Sequence, residues 1–289
     1  FNTMPRGLMK KTGRILSRLI CLTLMLALSY HWGGMNNTAK GEEMNSQKIA
    51  TTLLISFVIG NAVAWSMGAY PRDYAVKPYS EEDLTIINEL KEEIRNHPDE
   101  ADIKTDLGAL YFTHNDLDKA EEVLGQAKQE DSSNAEALVV WSANEAKQAG
   151  AMWDLTWGIW KLNRLENAVN GLEQAVRLDP ESLNVRMYRA HTILGIKRES
   201  WFFHILEDEQ WFLNHLETDR DYFPEDVKQQ FYSIFSHAYL YRLDFSGDEN
   251  ARSESLGKLE LYVQKLTKGS SEKEVLTRKL AQLNNELTH

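Results

Sequence analysis

The sequence predicts an all-α protein built from antiparallel helix pairs packed side by side. Apolar and small residues recur at helical spacing: Leu107, Gly108, Tyr111, Ala120, Leu124 and Ala127 fill one helix-turn-helix unit over 101–134. The same frame can be followed on both sides of that unit, and the alternation expected of strands is nearly absent.

Each position in the unit has a packing reason. Leu107 and Tyr111 stand one helical turn apart, small Gly108 and Ala120 let the two helices approach, and Leu124 and Ala127 continue the buried face of the second helix. One period earlier, Ile86, Leu90 and Pro98 hold the second-helix and exit positions, with Ser80 and Asp83 as an acidic capping box. The array therefore opens on a half repeat near residues 80–97. One period later, Leu138 and Trp141 take the first-helix core positions behind Asn134 as N-cap.

The register then breaks. It resumes at Ala168, Leu172, Ala175 and Pro180, which makes 151–164 an insertion. With no proline and only Gly158 in it, the insertion is expected to extend one helix over about 151–177, about 40 Å long. Trp153, Trp157 and Trp160 would form one stripe on that helix, with Leu155, Ile159 and Leu162 opposite. A helix apolar nearly all round needs two covers. Burial against Trp201-Phe202-Phe203 is the favoured reading, and an interface, with a ligand or a second copy, is the alternative.

Beyond Pro180, Val185, Arg186, Arg189, Ala190 and Ile193 mark a further first helix. Glu207 to Leu216 reads as a helix, Pro224 opens another carrying Phe231, Phe235, Ala238 and Tyr239, and Leu256 to Leu266 returns after the turn at Ser246-Gly247-Asp248. A terminal amphipathic helix begins at the capping pair Ser271 and Glu274 and presents Leu276, Leu280, Leu283 and Leu287 as a C-terminal cap.

On these residues the chain resembles the tetratricopeptide repeat (TPR) superfamily over about 80–195, most specifically at 101–134 and 165–180. Ala168 to Pro180 with Arg186, Tyr188-Arg189-Ala190 and Glu207-Asp208-Glu209 is also similar to exported bacterial TPR-like proteins of unassigned function. The resemblance implies a TPR-like α-solenoid whose first helices line a concave face. Carrying the frame over places Thr105, Ala109, Phe112, Val139, Ala143, Met187 and His191 there. TPR grooves that clamp a terminal carboxylate use Lys and Asn at such positions, and none falls in register, so the implied ligand is an apolar or extended segment.

Ahead of the array, 44–64 reads as a signal peptide, with Lys48, an apolar run from Ile49 to Gly60 and Ala62-Val63-Ala64 as cleavage site. The expected location is periplasmic or secreted, and the alternative is an uncleaved inner-membrane anchor. Residues 1–43 contain a second basic-then-apolar stretch, Lys10, Lys11, Arg14 and Arg18 before Leu19 to Tyr30. They read as an extension upstream of a start at Met44, or else as the first helix of a membrane hairpin. Trp65 to Tyr79, with Pro71 and Pro78, is expected to be an extended tether into the helical domain, 80–289.

Charge and cysteine count narrow the function. Residues 1–43 carry six basic and two acidic groups and Lys48 adds a positive charge, so against a total of −11 the part after Ala64 carries −16. Such a body is repelled by phosphate backbones and anionic lipid heads, which argues against nucleic acid, limits membrane contact to the amino-terminal segment if that is uncleaved, and allows a basic protein segment. Cys21 is the only cysteine, follows bulky Ile20, and is no lipoprotein site; without it, disulfides, zinc-thiolate sites and cysteine catalysis are excluded. His204 and His215 lack metal-ligand spacing, Glu207-Asp208-Glu209 reads as a solvated face, and no nucleophile elbow or phosphate loop occurs. No metal, cofactor or catalyst is expected. The implied function is a protein-binding scaffold exported to the bacterial envelope, with homo-oligomers allowed. Alternatives are a membrane-anchored assembly factor and an apolar small-molecule carrier resembling the TPR components of TRAP-type transporters.

Overall fold

The computed structural model describes residues 46–66, 70–245 and 248–287. The readings for residues 1–43, Cys21 and Ser246-Gly247 lie outside them. The chain divides into two units, 1–59 and 60–289. Helix α1 (Ser46–Ala64) begins in the first, where Leu53, Leu54, Ile55, Phe57 and Val58 are exposed. No described helix is long and apolar enough to cross a membrane.

The second unit is built of helices joined by loops and has no strand among its described residues. After α2 (Glu81–Asn96) come four pairs: α3 (Ala101–Thr113) with α4 (Leu117–Glu130), α5 (Ala135–Ala151) with α6 (Ile159–Leu178), α7 (Leu183–Ile196) with α8 (Phe202–Thr218), and α9 (Glu225–Phe245) with α10 (Glu249–Lys265). Helix α11 (Ser271–Leu287) packs on α10. The first helices touch in succession, α3 on α5, α5 on α7 and α7 on α9, so each pair covers flanks its neighbours cannot bury alone.

Local signals place the helix starts. Ser80 and Asp83 form the reciprocal capping box, and Asn134 accepts a hydrogen bond from the Ala137 amide. Leu107, Tyr111, Ala120, Leu124, Ala127, Ala168, Leu172 and Ala175 are all buried. Gly108 lies where a Cβ would come within 2.4 Å of the Leu124 side chain, which is why the α3–α4 crossing admits no side chain there. Two registers shift by one residue: Ile87 rather than Ile86 faces the core, and Ser270 rather than Ser271 caps α11, accepting from the Lys273 amide.

The long helix over about 151–177 is corrected. The insertion lengthens both members of its pair, α5 to 17 and α6 to 20 residues, and spends the rest on the loop 152–158. Buried Asp154 stops the chain from continuing as helix by accepting the amides of Thr156 (2.6 Å) and Lys161 (2.8 Å). Trp157 and Gly158 then adopt left-handed backbone, φ 59° and 82°. Trp153 and Trp157 are thus loop residues, and no helical stripe joins them to Trp160. None of the three is buried against Trp201-Phe202-Phe203: all are exposed, while Phe202 instead packs on Tyr239.

Of Glu207-Asp208-Glu209 only Glu207 is solvated; the other two are not. Asp208 is fully buried and takes two bonds from Arg189, Nε to Oδ2 at 3.0 Å and Nη2 to Oδ1 at 2.6 Å, and one from Arg186 at 3.1 Å. Buried Glu209 accepts from the Tyr239 and Tyr262 hydroxyls and from Lys258 Nζ. Carboxylates survive inside a core only when paired in this way. His204 is buried beside Glu173, 3.0 Å away, and His215 lies 3.1 Å from Glu181; among the described residues no three His, Cys, Asp or Glu converge as metal ligands.

Candidate functional site

The extended stretch 71–80 is bonded to the array rather than hanging free of it. The Arg72 amide donates to Gly150 O at 2.9 Å and the Lys77 amide to His114 O at 2.8 Å, while Asn115 Nδ2 donates to Ala75 O. Tyr79 anchors the end, its hydroxyl donating to Asp116 at 2.8 Å and its ring against Tyr111 and His114. The segment therefore crosses the carboxyl ends of α3 and α5. Gly150 permits it, since a Cβ there would meet the Tyr74 ring at 3.1 Å.

Between this segment and helices α3, α5, α6 and α7 lies a cavity of about 760 Å³. Phe112, Ala143 and Met187 supply its apolar wall and His191 lines it from α7. Four of the seven groove residues expected from the repeat frame are thus brought together. Thr105 and Val139 are not: both are buried in the helix packing, Thr105 bonded to the Ala101 carbonyl, and Ala109 is half-buried outside the cavity lining. The first-helix face is wider than the cavity, and its amino-terminal end is filled by neighbouring helices.

The basic lining was not foreseen. Arg72, Lys77, Lys147 and Lys161 line the cavity, and no Asp or Glu does among the described residues, within a chain of net charge −11. Their position has a clear cause. Helices α3, α5 and α7 end at this edge with orphan carbonyls and the negative ends of their dipoles. Lys77 Nζ donates to Thr113 O (3.3 Å), Lys147 Nζ to Phe112 O (3.2 Å), Lys161 Nζ to Gly150 O (3.1 Å) and Arg72 Nη1 to Gly195 O (2.8 Å). Repeat logic could not find them, because Arg72 and Lys77 come from the stretch before the array and Lys161 from the insertion. Lys147 was the one available signal, a cation in the last turns of a first helix.

Further along the same face the sign reverses. Asp106 and Glu136 act on the Tyr188 hydroxyl, and burial, reinforced by Glu136 and Asp102, raises the Asp106 carboxyl. Tyr188 bridges the two regions by packing its ring 5.9 Å from Phe112.

Lys147 is the group whose protonation this arrangement tunes. Burial, with Lys77's charge adding to it, lowers its pKa to about 8, and its ammonium sits 3.8 Å from the centre of the Phe112 ring. Burial also lowers Lys161, with Arg72 acting the same way and Asp154 opposing. Between about pH 8 and the ordinary lysine value of 10.5, the unfolded chain holds a proton that folded Lys147 has released, so stability rises with pH across that window. Lys147→Met is expected to reduce that rise, leaving the part due to Lys161, when urea midpoints are compared at about pH 7.5 and about pH 9.5. An equal rise in the variant would assign it to another group.

No protein-family model matches this sequence, and comparison with curated proteins returns no similar one.

Proposed function

We propose that this chain is a TPR-like binding scaffold of the bacterial envelope, without catalytic activity, that holds an extended segment of another protein in the cavity between α3, α5 and α7. The observation that carries this reading is the cavity itself: an apolar wall of Phe112, Ala143 and Met187 ending in four cations and, among the described residues, no carboxylate. That polarity selects a segment with apolar side chains and a carboxylate or acidic residue at the 70–79 edge. A basic segment, which the overall charge alone would favour, is disfavoured there. Side-chain pockets and a charged terminus are the two means by which helical grooves read extended peptides.

A photo-crosslinking residue at Met187 tests the reading in cells. One envelope protein should be captured, and Phe112→Asp should reduce the yield about tenfold or more, as expected for loss of a buried aromatic anchor. Full capture by a Phe112→Asp protein of unchanged helicity would refute the site. Binding of a carboxylate beside Lys147 should also draw a proton from solution near pH 8, measurable by calorimetry in buffers of different ionisation enthalpy.

Two alternatives have their own support. A volume of about 760 Å³ suits a small ligand as well as a peptide, and a co-purifying molecule in native mass spectrometry would favour a carrier. On location, Asn61 favours the anchored over the cleaved form. It is buried, donates to Leu155 O at 3.1 Å and accepts from the Trp157 amide at 3.4 Å, and cleavage after Ala64 would remove it. Amino-terminal sequencing decides between them: Trp65 as first residue would establish cleavage.

A further inference from the structure

The loop 152–158 and the first residues of α6 carry five large apolar side chains within eight positions. Trp153, Leu155, Trp157, Ile159 and Trp160 are between 51 % and 69 % exposed. Folded proteins seldom leave such a cluster in water without a use for it.

The loop is braced. Asp154, 1 % exposed, turns inward and ties the Thr156 and Lys161 amides, and Asn61 bonds Leu155 and Trp157 from the other side. Trp65 packs edge-on against Trp153 at 5.3 Å. Trp157 keeps a left-handed backbone, φ 59°, that a bulky residue adopts only when its surroundings impose it. These contacts hold the loop at the surface, with Trp157's indole against the Gly60 backbone and Trp153 against Trp65, while each indole stays more than half exposed.

Charge narrows what the cluster faces. Asp154 is the only carboxylate in the chain between Ala151 and Arg164, and it and Lys161 are both buried, so the loop itself exposes no carboxylate on a body carrying −16 after Ala64. Immediately before Gly60 in the chain runs the apolar stretch Ile49 to Ile59, and Asn61 and Trp65, which follow it, are fixed to this loop. Indoles without neighbouring acids, tied to the residues that follow an apolar segment, have the composition that settles at the boundary between lipid headgroups and acyl chains.

We propose that Trp153, Leu155, Trp157, Ile159 and Trp160 insert into the interfacial layer of a lipid bilayer, a membrane contact additional to the apolar segment 49–59. It is independent of what fills the cavity and rests on the anchored form of the chain, the alternative that Asn61 supports. The occupant is the bilayer rather than a second copy of the chain.

The full chain, with Cys21→Ser and an environment-sensitive fluorophore on Leu155→Cys, tests this in phosphatidylcholine vesicles. A second protein carries the label on Ser133→Cys, in the exposed turn before α5. Brominated acyl chains should quench the label at 155 about threefold more than that at 133. Equal quenching in vesicle-bound protein would overturn the loop contact alone. No vesicle binding at all would overturn it together with the membrane attachment. A blue shift at 155 that bromine leaves unquenched and that dilution reverses would assign the cluster to self-association and overturn the proposal. If labelling at 155 lowers helicity, the same comparison at Trp160→Cys replaces it.

Discussion

Replacing Arg189 with alanine is expected to cost about 3–5 kcal/mol of stability, because it leaves the Asp208 carboxylate inside the helix packing with Arg186 as its one remaining cationic partner among the described residues. The guanidinium is 3 % exposed, grips Asp208 with two parallel bonds and reaches Glu207 at 3.0 Å as well. Urea unfolding at neutral pH reads the loss. The double variant Arg189→Met/Asp208→Leu should recover most of it, since desolvation of a buried pair offsets much of its Coulomb attraction. A loss under about 1 kcal/mol for Arg189→Ala would mean that water reaches Asp208.

The second large effect is expected at Phe212. Phe212→Ala should cost about 3–5 kcal/mol, the range for deleting a buried aromatic ring that its surroundings cannot replace. Phe212 is fully buried, with ring centres at 4.6 Å to Phe231, 5.0 Å to Phe223, 5.7 Å to Tyr232 and 5.8 Å to Phe235. Those neighbours come from α9 and from the residues before it, so the ring fastens α8 to the final pair. Thermal melting with near-ultraviolet circular dichroism should show loss of aromatic ellipticity together with a lower midpoint. An unchanged melt would show that the aromatic neighbours close the cavity.

Most of the helix content could be read from spacing. Leu107, Tyr111, Leu124 and Leu172 are core residues as their periodicity required, and Ser80 and Asn134 start helices where their side chains reach the next free amides. The insertion could not be read this way. Trp153, Trp157 and Trp160 fit helical spacing, yet the inward bonds of Asp154 and the left-handed turn at Trp157-Gly158 outweigh periodicity over so short a run. Glu207-Asp208-Glu209 misled for a related reason. A charge run is solvated unless distant partners cover it, and here Arg189 and Lys258 lie 19 and 49 residues away.

The candidate site divides along the same line. Phe112, Ala143, Met187 and His191 were legible because helix period places them on one face. Arg72, Lys77 and Lys161 were not, because they reach the cavity from outside the repeats.

By itself, the sequence determined that the chain is helical, most of the helix starts and most of the inward faces, since these depend on neighbours three or four residues away. Only the tertiary structure decided which charges are buried, which tryptophans face outward and which cations meet at the carboxyl ends of α3, α5 and α7. Those outcomes depend on desolvation and on carbonyls supplied by chain tens of residues distant, and local pattern carries no record of either.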